Sequence, residues 1–215
     1  LHTQRRRQRQ MCIRDSGRHA QVSFSNSLEE DALRRDFTIN AMYLDKSGNL
    51  IDPTDGKKDL ENRVVRFIGN PDERIKEDYL RILRYFRFLA LFGDISPDAE
   101  VMKTISANLD KLSVVSKERQ WNELKSILTL TAPNNAISAM SEIGLLDDYF
   151  NGIGINDAFV NLIEIESKIS FSIDPILRLS TLIENSLDKA NTIIKKLPLS
   201  KSESTDLLKL CTLNK

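Results

Sequence analysis

Histidine and cysteine are scarce in this 215-residue chain, two of each, and proline and glycine are few, at 6 and 8. Cys12 and Cys211 sit near opposite ends with no histidine partner at hand, which argues against a zinc site or a disulfide framework and leaves two reduced thiols. No apolar stretch approaches the roughly 18 residues a membrane span needs. The opening LHTQRRRQRQMCIRDSG lacks the apolar middle of a secretory signal. There is no P-loop, no glycine-rich dinucleotide turn and no Ser-His-Asp set. With 29% charged and 40% hydrophobic residues, the composition fits a helix-rich cytoplasmic protein with enough apolar mass for a core. The chain also lacks net charge, but unevenly: residues 1–18 hold six Arg against one Asp. The remainder is slightly acidic, so contact with a polyanion has to use local patches.

Residues 1–17 show no amphipathic period and carry excess like charge, and are expected to be unpacked with few contacts to the rest, as extraneous or disordered sequence. From His19 the pattern becomes that of a folded domain. Gln21–Phe24 alternates as a short strand. Ser27 with Glu30 three residues later forms a capping box for a helix to about Arg35. Phe37–Asp45 reads as a buried strand, hairpinned to Asn49–Asp52 through Lys46-Ser47-Gly48. A turn at Asp52-Pro53-Thr54-Asp55-Gly56, a short helix at Lys58–Asn62 and a strand at Val64–Ile68 follow. Beyond Gly69 the chain reads as helical throughout. Asn70-Pro71 starts a helix that Ile75, Tyr79, Ile82, Phe86 and Leu89 carry to Gly93, and further starts fall near Pro97, Ser116, Pro133, Asn156, Asp174 and Ser200. The fold class is α+β, a β-containing head followed by helices.

Asp78 and Arg81 stand three apart on the expected helix, as do Arg84 and Arg87 beyond them. By spacing alone they form a salt-bridged surface face, with Glu77 four before Arg81. They also allow a sharper reading. A carboxylate only accepts hydrogen bonds and a guanidinium only donates them. Cytosine and adenine both present an amino donor beside a ring-nitrogen acceptor, whereas uracil and guanine place a carbonyl where that amino group would be. One Asp and one Arg therefore suffice to accept the first pair of bases and reject the second.

The run SLEEDALRRDFTINAMYLD (27–45) with EDYLRILRYFRF (77–88) resembles the class II tRNA nucleotidyltransferases, a family of CCA-adding enzymes and bacterial poly(A) polymerases. The resemblance implies that Arg35 contacts the nucleotide triphosphate and that Asp36 reads the ribose hydroxyl. It assigns base choice to Asp78 and Arg81, further nucleotide contact to Arg84 and Arg87, and a site-ordering role to Asn40. Glu77 completes the Glu-Asp-x-x-Arg motif. Glu118-Arg119-Gln120-Trp121-Asn122-Glu123-Leu124 resembles a later ERxxxEL motif, in which Glu118, Arg119 and Glu123 would buttress the nucleotide helix. Asp52–Leu60 resembles the family's connector between head and neck.

The Gly-Gly turn and Asp-x-Asp pair that hold the family's metal ions are not found upstream, and Glu29-Glu30-Asp31 falls in a part of the motif that does not bind metal. No catalytic residue and no metal ligand is therefore assigned, and Mg2+ is expected only in a complete enzyme. What the resemblance implies is a fragment, inactive by itself, with residues 18–69 the latter part of a nucleotidyltransferase head built on a mixed β-sheet. Residues 70–144 would be the nucleotide-recognising neck and 145–215 part of an all-helical body. The expected partners are CTP, ATP and the tRNA 3′ end, with no membrane, and the activity is addition of CMP and AMP. Poly(A) synthesis and a non-catalytic helical RNA-binding module are the alternatives.

Overall fold

The computed structural model describes the backbone of residues 11–15 and 20–24, and residues 27–150, 154–169 and 172–212. It divides into two compact units, Leu1–Gly69 and Asn70–Lys215.

In the first unit, β1 (Met11–Asp15) pairs antiparallel with β2 (Ala20–Phe24), Ile13 opposite Val22. The second strand is the one expected near Gln21–Phe24. The first falls within residues 1–17, where no strand was expected: Met-Cys-Ile is a β-compatible triplet that can use a neighbouring strand. The rest of that segment lies outside the described residues. Helix α1 (Leu28–Arg34) begins where expected, Ser27 Oγ accepting from Glu30 N at 3.1 Å.

The buried strand expected over Phe37–Asp45 is mostly absent. Phe37 makes one antiparallel bridge to Phe67, their rings 4.7 Å apart, and the chain then winds into a 3-10 turn at Thr38–Asn40. Only β3 (Tyr43–Leu44) is strand, hairpinned to β4 (Leu50–Ile51). Thr38 explains the departure from β propensity. Its hydroxyl donates to the buried Asp59 at 2.7 Å, and its carbonyl accepts from Thr54 Oγ1 at 3.3 Å. Tertiary partners thus hold Thr38 in the turn, and its carbonyl, which a ladder would use, is taken by Thr54.

Helix α2 (Gly56–Glu61) starts two residues earlier than expected, because the Asp52 carboxylate accepts from both Gly56 N and Lys57 N. A Cβ on Gly56 would lie 2.2 Å from the Thr38 carbonyl oxygen, so only glycine permits this approach. Val64–Ile68 is extended but not a regular strand. It donates and accepts one bond each with 36–38 before that partner turns away into the 3-10 helix.

The second unit is helical. Its α3 (Pro71–Glu77) is capped by Asn70 Oδ1, which accepts from Asp72 N and Glu73 N. The helix expected to run on to Gly93 breaks at Asp78, which is extended at φ −155°, ψ 106°, and α4 (Arg81–Phe92) starts afresh. Helices α5 (Ala99–Ser106), α6 (Lys117–Leu128) and α7 (Asn134–Glu142) follow. Then come α8 (Asp147–Phe150), α9 (Asp157–Ile169), α10 (Pro175–Leu182), α11 (Leu187–Lys196) and α12 (Lys201–Thr212). Their starts agree with the expected signals except at α8 and α11, which the sequence reading missed. Gly93 and Gly144, at φ 77° and 75°, end α4 and α7.

Helix α4 buries seven of its twelve residues and packs on α6 and α7, while α10 packs on α6, α9 and α12. Residues 70–144 and 145–215 therefore share one unit. Arg178 of α10 ties the helices together. Its Nη1 donates to the carbonyls of Leu128, at 2.8 Å, and Leu130, while Nε and Nη2 hold Glu166 of α9 at 2.8 and 2.6 Å. Both side chains are almost wholly buried.

Candidate functional site

The residues singled out from the sequence fall into two clusters, one in each unit. In the first unit, the register of α1 and the 3-10 turn gathers Arg35, Asp36 and Asn40. The Arg35 guanidinium donates from Nε and Nη2 to Asp31 Oδ2, at 3.1 and 3.0 Å, and from Nη1 to the Asn40 carbonyl at 2.8 Å. Tyr43 donates its hydroxyl to the same Asp31 oxygen at 2.8 Å, and its ring lies 5.0 Å below the guanidinium carbon. Asp36 is buried, Oδ1 accepting from Phe37 N and from Asn40 Nδ2 at 2.9 and 3.0 Å. Asn40 thus bonds both to the arginine and to the aspartate.

Asp31 and Tyr43 were not singled out from the sequence. The i,i+4 spacing of Asp31 and Arg35 on one helix was a readable signal. Nothing local marks Tyr43, which arrives from the following hairpin.

Burial, then the bond donated to Asp31, pushes the Tyr43 phenol up to about 12 from its ordinary 10.0. Tyr85 is likewise raised to about 12, by burial only partly offset by the bond it accepts from Asp98 N. An unfolded chain releases these protons near 10.0 while the folded one keeps them to about 12, so the unfolded state binds fewer protons through that window. Stability should therefore be fully present below the window and fall as pH rises through it. Thermal melts across the window, with phenolate absorbance followed in parallel, check this. A stability that stays flat while both phenols ionise contradicts it.

The second cluster is built around the break between α3 and α4. Asp78 is the hinge, its Oδ1 accepting from Leu80 N at 3.1 Å, the local bond by which an aspartate competes with helix. Its Oδ2 accepts from Arg119 Nη2 at 2.7 Å, across from α6. This corrects the expectation that Asp78 and Arg81 lie on one helix as paired neighbours. The Arg81 side chain turns instead to Glu77 Oε2 at 2.6 Å and to the Arg74 carbonyl at 2.7 Å. Arg74, buried, also reaches Glu77 Oε2 at 2.5 Å. Burial disfavours ionised Glu77, but Arg81 and Arg74 outweigh it and hold the carboxyl below its usual range.

Arg81, Arg84 and Arg87 are each half-buried on the open side of α4, while Ile82, Leu83, Tyr85, Phe86, Phe88 and Leu89 face the core. Arg87 Nε donates to Glu123 Oε2 at 2.7 Å and Arg84 Nη1 approaches Glu123 Oε1 at 3.5 Å. Arg119 and Glu123 lie one turn apart on α6, so a single helix face holds Asp78, Arg84 and Arg87. Glu118 is exposed in the first turn of α6, and Trp121 belongs to the core.

Chemically, the second cluster offers a carboxylate acceptor beside three guanidiniums, oriented by partners and still partly open to water. The first offers one oriented guanidinium beside a buried carboxylate. Among the described residues no group of three or more His, Cys, Asp or Glu side chains converges as a metal site. Asp31, the one buried acid of the Glu29-Glu30-Asp31 run, is engaged by Arg35 and Tyr43. These residues do not fit a metal centre.

The arginine-bearing helix α4 follows a small α+β unit, the order of elements that the resemblance to a nucleotidyltransferase implies. The comparisons with known proteins agree. A family described as "Poly A polymerase head domain" matches residues 1–66, and one described as "Probable RNA and SrmB- binding site of polymerase A" matches residues 94–153. The chain is 37% identical over 194 residues to the mitochondrial CCA tRNA nucleotidyltransferase 1 of Mus musculus, covering 89% of this chain and 44% of that protein. It is 40% identical over 160 residues to the CCA-adding enzyme of Streptococcus gordonii, covering 74% of this chain and 39% of that protein. The Bacillus stearothermophilus CCA-adding enzyme, solved in complex with CTP, shares the fold with a TM-score of 0.70 at 24% identity, over 89% of this chain and 48% of that one. The chain belongs to the family of CCA tRNA nucleotidyltransferases and poly(A) polymerases. It spans less than half the length of these relatives.

Proposed function

We propose that this chain supplies the nucleotide-selecting part of a CCA-adding tRNA nucleotidyltransferase, which transfers CMP and AMP from CTP and ATP to the tRNA 3′ end without a nucleic-acid template. The observation that carries the reading is the part-exposed Asp78 carboxylate. It is fixed at a helix break by Leu80 N and Arg119, beside Arg81, Arg84 and Arg87 on the open face of α4. In this reading Asp78 accepts from the amino group that cytosine and adenine share. Arg81, oriented by Glu77, donates to the adjoining ring nitrogen. Arg84 and Arg87, spread by Glu123, meet the rest of the nucleotide and the RNA end. In the first unit, taken by itself, Arg35 would bind a triphosphate and Asp36 would accept from a ribose hydroxyl, with Asn40 keeping the two in register.

Magnesium, when bound by a complete enzyme, would screen the phosphates and activate the primer hydroxyl. Its ligands are assigned to none of the residues described above. Among the described residues no helix is long and apolar enough to cross a membrane. A cytoplasmic placement rests on the reduced-thiol reading, and Cys211 is a buried free cysteine.

The experiment is a chimera in which this segment replaces the equivalent stretch of the Streptococcus gordonii relative. Given a tRNA without its CCA end, CTP, ATP and magnesium, the chimera should restore CCA and stop. Long AMP tracts with no use of CTP would assign the segment to a poly(A) polymerase. A folded chimera that binds RNA but transfers nothing would mark it as a binding module.

A further inference from the structure

We propose that Asp31 and Tyr43 are positioning residues for the triphosphate contact of Arg35, a proposal that rests on the reading of Arg35 given above. Three donors converge on one buried oxygen: Arg35 Nε at 3.1 Å, Arg35 Nη2 at 3.0 Å and the Tyr43 hydroxyl at 2.8 Å all meet Asp31 Oδ2. The Asp31 side chain is 4% exposed and that of Arg35 37%, so the acid is the fixed member of the pair and the guanidinium the one that reaches water.

A guanidinium is planar, and anchoring two of its edges sets where its other N–H groups point. One edge is held by Asp31. A second, through Nη1, is held by the Asn40 carbonyl at 2.8 Å. The Tyr43 ring, 5.0 Å from the guanidinium carbon, supports the plane from below. An exposed arginine would otherwise sample many rotamers and lose that freedom on meeting a phosphate. The three contacts remove it beforehand, which favours the planar, bidentate contact that phosphate takes best. Asp31 also offsets part of the positive charge, so the arrangement makes sense only if aim matters more than bare charge.

The test measures equilibrium binding of CTP and of CMP to the whole 215-residue chain, in the wild type and in Asp31→Asn, Tyr43→Phe and Arg35→Gln. The readout is the preference for CTP over CMP, which isolates the phosphate contact from the base. Asp31→Asn should lower that preference about tenfold and Tyr43→Phe about threefold, with CMP affinity unchanged. Loss of CMP binding in step with CTP would mark Asp31 as merely structural and overturn the proposal. So would an unchanged or increased preference in both variants. If Asp31→Asn does not fold, the Tyr43→Phe arm decides. Arg35→Gln separates the two layers: if it lowers the preference and the other variants do not, only the positioning role fails. If it too leaves the preference unchanged, or the wild type has none, the phosphate reading of Arg35 fails and the proposal with it.

Discussion

Arg178→Ala should destabilise the helical unit by about 3–5 kcal/mol, the usual cost of removing one partner of a buried ion pair. Against a total stability on the order of 5–15 kcal/mol, that is a large fraction. The cause is specific. Without Arg178, the Glu166 carboxylate is left in the interior with no opposite charge, and the Leu128 and Leu130 carbonyls lose their donor where α6 ends. The Glu166→Leu/Arg178→Met pair should recover part of the loss, because it removes the buried charges together instead of stranding one. Urea unfolding followed by circular dichroism would show a lowered midpoint at unchanged slope. A loss under about 1 kcal/mol for Arg178→Ala would mean that the pair is dispensable. Since α6 carries Arg119 and Glu123, this bolt between α6, α9 and α10 also underlies the arginine row on α4.

Asp78→Ala should cost roughly one to two decades in selectivity for CTP and ATP over UTP and GTP, from about 1–3 kcal/mol for an unpaired polar group at the base. It also removes the cap on Leu80 N and the tie to Arg119, so a stability loss of about 1 kcal/mol accompanies it. Asp78→Asn keeps the Leu80 bond and reverses the hydrogen-bonding sense at the other oxygen. Its oxygen can keep the Leu80 bond, which places the amide nitrogen where Oδ2 now stands. An N–H donor there opposes the amino group of cytosine or adenine and suits the carbonyl of uracil or guanine. Asp78→Asn should therefore keep the Leu80 bond, lose the tie to Arg119 and some stability with it, and shift preference toward UTP and GTP. If both variants lower affinity for all four nucleotides equally, Asp78 supports the helix break and does not read the base.

Local signals in the sequence carried the helix starts. Ser27, Asn70-Pro71, Ser116 and Asp174-Pro175 all cap helices through side-chain acceptors or a first-turn proline. The break at Asp78 was hidden because Ile75, Tyr79, Ile82 and Phe86 keep a helical period across it. The extended backbone of Asp78 and the bond from Leu80 N back to its carboxylate mark where the chain departs from the helix. Helix α11 was missed because it follows two residues, Glu184 and Asn185, with φ of 58° and 52°. The interruption holds no glycine or proline, and its marks are Asn185 and the Ser186 cap on Lys189 N. The 3-10 turn at Thr38 replaced a strand because Asp59 and Thr54, 21 and 16 residues on, claim its polar groups.

The site was legible in a different way. Spacing alone left Asp78 and the arginines as an ordinary charged face, and the resemblance alone gave them roles. Their partners, Arg119 at 41 residues from Asp78 and Glu123 at 36 from Arg87, lie beyond any local pattern. Charged pairs at such separations become visible only once the helices pack.

The central claim is that this segment selects cytosine and adenine with protein side chains alone. It is tested most directly by the dissociation constants of the wild-type chain for CTP, ATP, UTP and GTP, measured under one salt condition with no RNA present. The account predicts that CTP and ATP bind within a few-fold of each other and about ten- to a hundredfold tighter than UTP and GTP. Equal affinity for all four would contradict it.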